Sequence, residues 1–437
     1  MRAVDSFALR TKLKRTDFKK WARAAWPLVF LLWAGLAASA DTLFPGGDPA
    51  GSESKVYRDA GSGAWVQEIS GSLPAPRSIK VITEAGTVKV RGAAQSNLTY
   101  VLKKRVKASS EEEARKLFSD FRIKAWSSGD LAEFRGEFDS YYGRGQRHPR
   151  GRSASVDFDI TTPRSTAAVH ALTGGGTVGV NNIAGTVAVE TGGGSIQLDE
   201  IGGAATAMSG GGSIELGNMG GDVSVETGGG SIRIKSAGGS VAALSGGGSI
   251  EVVSARRAVS AETGGGSIRV QNCGAAVKAV TGGGSLEVGD TGGPVVVETG
   301  GGSIRVWGAK GNVRAGSGGG SIHLAGLTNG VQVETGAGSI IAEFAGGASL
   351  TNSMLETSTG DVTVYLPANV GVTIRGAIEA GSRNSVRSDF TELRVVSESD
   401  QQWGPREVLV EGKINGGGPL LKIRTTTGKI VLLRAKK

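Results

Sequence analysis

Residue types able to do chemistry are few and scattered in this chain. Its 437 residues include three histidines, His148, His170 and His323, far apart in sequence, and one cysteine, Cys273. A lone cysteine excludes an intrachain disulfide, and Cys273 shares a repeat column with Ile201 and Met219, so it reads as a small buried residue rather than a nucleophile. The many glycine-rich phrases contain Gly-x-Gly spacings, but none leads into a helix and none is followed by Gly-Lys-Ser/Thr. A phosphate cradle needs backbone amides at a helix N-terminus, so nucleotide binding is excluded. Calcium-binding β-rolls place an Asp in each glycine turn; here that place is Ser, as at Ser195, Ser231 and Ser303. No catalytic, cofactor or metal set is assigned.

The charged residues with the most regular spacing are Glu215, Arg233, Glu251, Arg269, Glu287 and Arg305, at intervals of 18 and opposite in sign at each step. They form a candidate surface ladder, and His323 occupies the next place in it. Solenoid enzymes that cleave polysaccharides gather Asp, Lys or Arg in one groove, whereas regular alternation points to stacking. Trp307 stands near the ladder and could stack on a sugar ring, against the plainer reading of ordinary surface scatter. A basic stretch, Asp139 to Ser153, holds Arg144, Arg147, Arg150 and Arg152 beside Tyr141 and Tyr142. It reads as a solvated loop before it reads as a contact for nucleic acid or an anionic polymer.

These residues must be positioned by a repeat. Thr/Ser-Gly-Gly-Gly-Ser-Ile, or a near variant, begins at Thr173, Thr191, Ser209, Thr227, Ser245, Thr263, Thr281, Thr299, Ser317 and Thr335, always 18 residues apart. A fixed period without drift means stacked supersecondary units rather than one globular core. Counting from each Thr or Ser, positions 6 and 8 are apolar (Ile196 and Leu198, Ile232 and Ile234), as are positions 15 and 17 (Val223 and Val225, Val295 and Val297). That is the period-two alternation of a strand with one buried face. Each unit therefore holds two short strands, joined to the next by the glycine turn and to each other by a looser turn around positions 9 to 13. Position 11 (Ile183, Ile201, Met219, Cys273, Leu327) points inward from that second turn.

The expected fold is all-β: a parallel β-solenoid, or single-stranded β-helix, of about 18 residues per coil with one short N-terminal capping helix. Ten coils span about 48 Å at roughly 4.8 Å per strand. With one unit per coil each ladder Glu lies between two Args, and with two units like charges would stack. Position 18 alternates as well (Glu190, Met208, Glu226, Leu244, Glu262, Val280, Glu298), and a duplicated 36-residue unit accounts for both alternations equally.

The flanks divide the chain further. Residues 1–40 read as an export signal: basic residues from Arg10 to Arg23, an apolar run from Ala24 to Ala38 interrupted by Pro27, and a small-residue site at Ala38-Ser39-Ala40. An uncleaved anchor is the rival, and the only expected membrane contact. The chain carries 49 basic and 40 acidic residues, but residues 1–40 hold eight and two of them, which leaves 41 and 38. So near-balanced a remainder gives nucleic-acid binding little support. Residues 41–75, rich in Gly, Ser, Asp and Pro, read as a linker. Residues 76–165 read as N-terminal capping strands plus a helix that opens at Ser109-Ser110-Glu111-Glu112, with Ser109 and Glu112 spaced as a capping box and Ala114, Leu117, Phe118 and Phe121 on its apolar face. Residues 166–352 hold the regular repeats. Residues 353–437 hold irregular final coils, with strands around Asp361–Leu366, Val370–Ile374, Arg394–Val396, Glu407–Val410 and Lys429–Leu433.

Four C-terminal segments carry a family resemblance: Gly360-Asp361-Val362-Thr363-Val364-Tyr365-Leu366-Pro367, Val386-Arg387-Ser388-Asp389-Phe390, Gly412-Lys413-Ile414-Asn415-Gly416-Gly417-Gly418-Pro419, and Thr425-Thr426-Thr427-Gly428-Lys429-Ile430. In kind and order they resemble the bacterial putative-adhesin β-strand-repeat proteins, domain-of-unknown-function family 4097, over roughly residues 76–437. The resemblance implies an exported or envelope-associated solenoid and offers no catalytic residues. The expected function is a non-enzymatic adhesive, binding or structural module, periplasmic, cell-surface or secreted, whose partner is an envelope polysaccharide or another envelope protein. The alternatives are a polysaccharide-degrading β-helix enzyme and a scaffold for an envelope-stress partner protein.

Overall fold

The computed structural model describes residues 52–119, 121–138, 154–398 and 406–435. The expected signal at 1–40 and the whole basic stretch 139–153 lie outside the described residues.

The chain is all-β apart from one α-helix and a short 3-10 turn among the described residues. Its strands form two sheets. Through the repeats, each unit contributes one strand to the first sheet (Ile196–Ile201, Ile214–Met219, Ile232–Ala237 and so on) and one to the second (Ala205–Ser209, Val223–Thr227, Val241–Ser245). All these neighbours are parallel. Ile196 lies beside Ile214 and Ile214 beside Ile232 in the first sheet, and Val223 beside Val241 in the second. A residue and its ladder neighbour are thus 18 apart, as in the Arg269–Glu287 contact. Opposite charges are adjacent along the ladder, with Glu215 beside Arg233 and Arg233 beside Glu251.

Between the sheets lies a core of Ile, Val, Leu and Ala, two or three such side chains per repeat strand. One coil buries only about five side chains at roughly 1.5–3 kcal/mol for each large one. That does not offset the ordering of its backbone, so each coil depends on its neighbours. Position 11 is buried as expected, at Ile183, Ile201, Met219, Cys273 and Leu327. The first-sheet strand runs on through it, so the second turn is tighter than expected. In some units the residue before it is left-handed, as at Asn182 (φ 60°) and Glu200 (φ 51°), but Met219 and Cys273 are buried without one.

The repeat phrase has a mechanical reading. Its first residue is buried, and its hydroxyl donates to the glycine carbonyl 15 residues back: Thr227 Oγ1 to Gly212 O at 2.7 Å, Ser245 Oγ to Gly230 O at 2.8 Å. The same oxygen accepts from its own turn, Gly230 N to Thr227 Oγ1 at 3.2 Å. A column of hydroxyls therefore ties successive corners and satisfies backbone groups that would otherwise be buried without partners.

At the N-terminal end, the stretch 41–75 departs from the expected linker. It holds the strands Glu53–Arg58 and Trp65–Leu73, antiparallel to each other, and the second is antiparallel to Leu98–Val106. Val66 and Ile69 are buried. Core aromatics gather here, at Tyr100, Phe121, Phe134 and Phe158, where the repeats bury only Phe344, and Tyr100 lies edge-on to Phe134 at 5.4 Å. The helix spans Glu111–Ser119, and Ala114 and Phe118 close a small separate core with Val106. Its cap is Ser110, whose Oγ accepts from Glu113 N at 3.2 Å. The Glu113 carboxylate reaches back to Ser109, accepting from its N at 2.9 Å, so Glu113 and Ser110 replace the expected Ser109–Glu112 pair and the return bond falls on the residue before the cap. Phe121 lies in the next strand, Phe121–Ser128.

At the other end the four resembling segments meet. Val362–Leu366 pairs with Ile430–Arg434, which also pairs with Val386–Ser388. Asp361 Oδ1 accepts from Lys429 N at 2.9 Å, Thr425 Oγ1 donates to Gly360 O at 3.0 Å, and Asn415 Nδ2 donates to Ala368 O and Val370 O at 2.8 and 2.9 Å. Their residues serve turn-to-turn ties that close the final coils.

Candidate functional site

The outer face of the first sheet is built by positions 7 and 9, which alternate with the buried positions 6 and 8. Position 7 carries the ladder. Ion pairs close at Arg233–Glu251 (3.1 Å) and Arg269–Glu287 (2.7 Å), and among the described residues at no other ladder step. The six predicted residues thus share one column but couple as two separate pairs, with Glu215 and Arg305 outside them. Both pairs face solvent, where such contacts contribute about 0–1 kcal/mol. They favour register more than stability.

Position 9 runs alongside. Trp307 is 39% exposed, and Tyr57 is the other large apolar side chain so exposed among the described residues. On one side Trp307 pairs with Ala325. On the other lies Gly289, next along from the paired Val288 and Val306, where a Cβ would meet Gln271 O at 2.2 Å. Both flanking places are therefore small, and a shallow groove of about 270 Å³ opens beside the indole, lined also by Arg269, Gln271, Glu287 and Asp290. Beyond Ala325 the face changes character. His323 Nε2 lies 3.1 Å from Glu343 Oε1, and Glu343 lies beside Tyr365.

A second groove, about 430 Å³, lies by the glycine corners at the N-terminal end of the second sheet. Its floor is Ile82 and Leu172 and its lining includes Glu84, Glu137 and Glu190, all exposed. His170 stands on the outer face of that sheet beside Lys80. His148 lies outside the described residues. Among the described residues no group of three His, Cys, Asp or Glu is arranged to hold a metal ion.

Cys273 is buried, and its Sγ donates to Arg257 O at 3.0 Å. Burial pushes its thiol pKa above the ordinary value, which keeps it protonated and unreactive.

Sequence reasoning found Trp307 and the ladder but missed Tyr365, Glu343 and the acidic groove. Gln271, Gly289, Trp307 and Ala325 share one repeat position, so that part of the column was available from the period alone. Tyr365 was not, because ladder neighbours past the last repeat are 22 apart, as at Asp361 and Ser339.

No family model matches the chain, and no curated protein matches it. Solved structures do. A protein described as a "putative cell adhesion protein" from Clostridium sporogenes shares 10% identity over 85% of this chain and 100% of its own, with a TM-score of 0.16. A "putative adhesin" from Bacteroides fragilis shares 13% over 63% of this chain and 95% of its own, TM-score 0.21. A "putative lipid binding protein" from Parabacteroides distasonis shares 9% over 69% and 97%, TM-score 0.23.

Proposed function

We propose that this protein is an exported β-solenoid of eighteen residues per coil that acts in the cell envelope as a non-enzymatic binding module for a repeating polymer, a surface polysaccharide. The observation that carries the reading is the outer face of the first sheet, where exposed side chains recur in straight columns at one strand spacing. A face with translational order suits a ligand with translational order, because each added contact uses the same geometry and the affinities accumulate along the chain. The C-terminal segments support assignment to the adhesin-type family they resemble, and the closing ties they make fit a role in ending the stack.

The rival enzymatic reading has one observation in its favour, the groove of Glu84, Glu137 and Glu190. Glycosidic cleavage needs one carboxyl kept protonated by burial or a close like charge. These three are exposed to water and lack that burial. They suit a solvated rim better than an acid–base pair.

Cell fractionation tests the proposal. The full chain, expressed in a bacterial host with an envelope, is expected in the envelope or medium with Asp41 as its new N-terminus. Uncleaved protein residing in the cytosol contradicts export.

A further inference from the structure

Resting on the polysaccharide reading above, we propose that the position-9 column from Gln271 to Tyr365 is a binding track for an uncharged polysaccharide lying along the stack, with Trp307 and Tyr365 as its two stacking platforms.

The strands carrying Trp307, Ala325, Glu343 and Tyr365 are successive neighbours in the first sheet. The two aromatic residues are therefore three strand steps apart, about 14 Å at roughly 4.8 Å per step. Both belong to the outer face, since Tyr365 alternates with the buried Val364 and Leu366. Between them Ala325 keeps the surface low, and at the far side of Trp307 the bare Gly289 does the same. An extended chain can therefore run low past Trp307 to Ala325, and the one longer side chain before Tyr365, Glu343, has its carboxylate against His323.

The polar groups beside the track suit sugar hydroxyls. The His323–Glu343 contact, 3.1 Å long, leaves a second carboxylate oxygen to accept from a hydroxyl, and Gln271 and Asp290 offer a donor–acceptor amide and an acceptor at the other end. Aromatic faces attract the weakly polarised C–H edge of a pyranose while its hydroxyls reach outward to such groups. Charge decides the class of polymer. Arg269 is neutralised by Glu287, Arg305 stands between Glu287 and His323 in its column, and Asp290 and Glu343 add acid to the same face, so the track presents no basic stripe to attract a polyanion. The ladder face nearer the N-terminus has no comparable aromatic residue among the described ones.

The test titrates the purified protein with neutral hexasaccharides (cellohexaose, mannohexaose and a β-1,3-glucan hexaose), with hexagalacturonate, and separately with isolated envelope polysaccharide. Tryptophan emission is read against a Trp307→Phe variant. At least one neutral hexasaccharide is expected to shift Trp307 emission. Trp307→Ala and Tyr365→Ala are each expected to weaken its binding roughly threefold to tenfold, with Trp307→Phe largely restoring affinity. Lys278→Glu, on the outer face of the second sheet, should bind as wild type. Preference for hexagalacturonate, or no emission change with any neutral hexasaccharide, overturns the track. If envelope polysaccharide still binds and both alanine variants, shown folded by circular dichroism, bind it as wild type, the track is wrong while the polysaccharide reading stands. If envelope polysaccharide does not bind the wild type, that reading itself has failed.

Discussion

The three glycines of each corner do different jobs. A Cβ at Gly228 would meet Gly210 O at 2.2 Å, and one at Gly230 would meet Gly212 O at 2.2 Å, but one at Gly229 meets nothing within 4 Å. The outer two are required because the carbonyl of the preceding corner packs directly on their α-carbons. The middle one is free, and the last repeat already has Ala337 in that place, between Gly336 and Gly338. Gly229→Ala is therefore expected to leave the urea midpoint within about 0.5 kcal/mol of wild type. Gly230→Ala should cost about 1–3 kcal/mol as backbone is forced apart. Equal effects would show that the stacking of corners is not as described. Cys273 gives a second prediction. Its folded pKa is raised, so the native state holds the thiol proton more tightly than the unfolded chain. Its contribution to stability is present below the unfolded thiol value of about 8.5 and is lost as pH rises above it. Unfolding curves from pH 7 to 10 should show this loss, Cys273→Ala should flatten it, and a thiol reagent should label Cys273 only after unfolding.

At the scale of elements, register is what the ladder contributes. Glu251→Arg would place three Args in adjacent strands, Arg233, the new side chain and Arg269, and remove the 3.1 Å pair. The expected cost is about 1 kcal/mol or less, shrinking at high salt, because the charges are exposed. A loss that salt does not relieve would mean the ladder is more deeply coupled than its exposure indicates. The strands of the repeats were readable in the sequence because period-two alternation of Ile and Val recurred in phase. The strands Glu53–Arg58 and Trp65–Leu73 were not, because they pair antiparallel outside the repeat and the second is held to the fold by a strand beyond local reach, Leu98–Val106. Their Gly, Ser and Asp content reads as linker until Val66 and Ile69 are placed against the core. The helix cap was misread by one residue because Ser109 and Ser110 both have a Glu three places on, and only the carboxylate of Glu113 folds back. Of the candidate site, Trp307 was legible as an isolated aromatic. Its companion Tyr365 was hidden by the change of phase after the last repeat.

For the whole molecule, stability is a sum over coils and their interfaces, so length should be adjustable in units of the repeat. Deleting residues 227–244 should leave a folded stack but bring Glu215 beside Glu251, giving a salt-dependent loss. Deleting residues 209–244 should leave the alternation of charge intact from Glu251 onward and lack that salt dependence. Deleting nine residues, 236–244, should break the stack at that point and cost more than either whole-unit deletion, since the strands on the two sides of the cut would no longer meet in phase. Circular dichroism and protease resistance distinguish the three. The function proposed for this architecture is contact with a polymer as regular as the stack. The most direct test mixes purified protein with isolated envelope polysaccharide, measures the fraction sedimented with it, and assays the supernatant for new reducing ends. Saturable co-sedimentation without sugar release is the predicted result; release of reducing ends, or no co-sedimentation at any concentration of polymer, contradicts it.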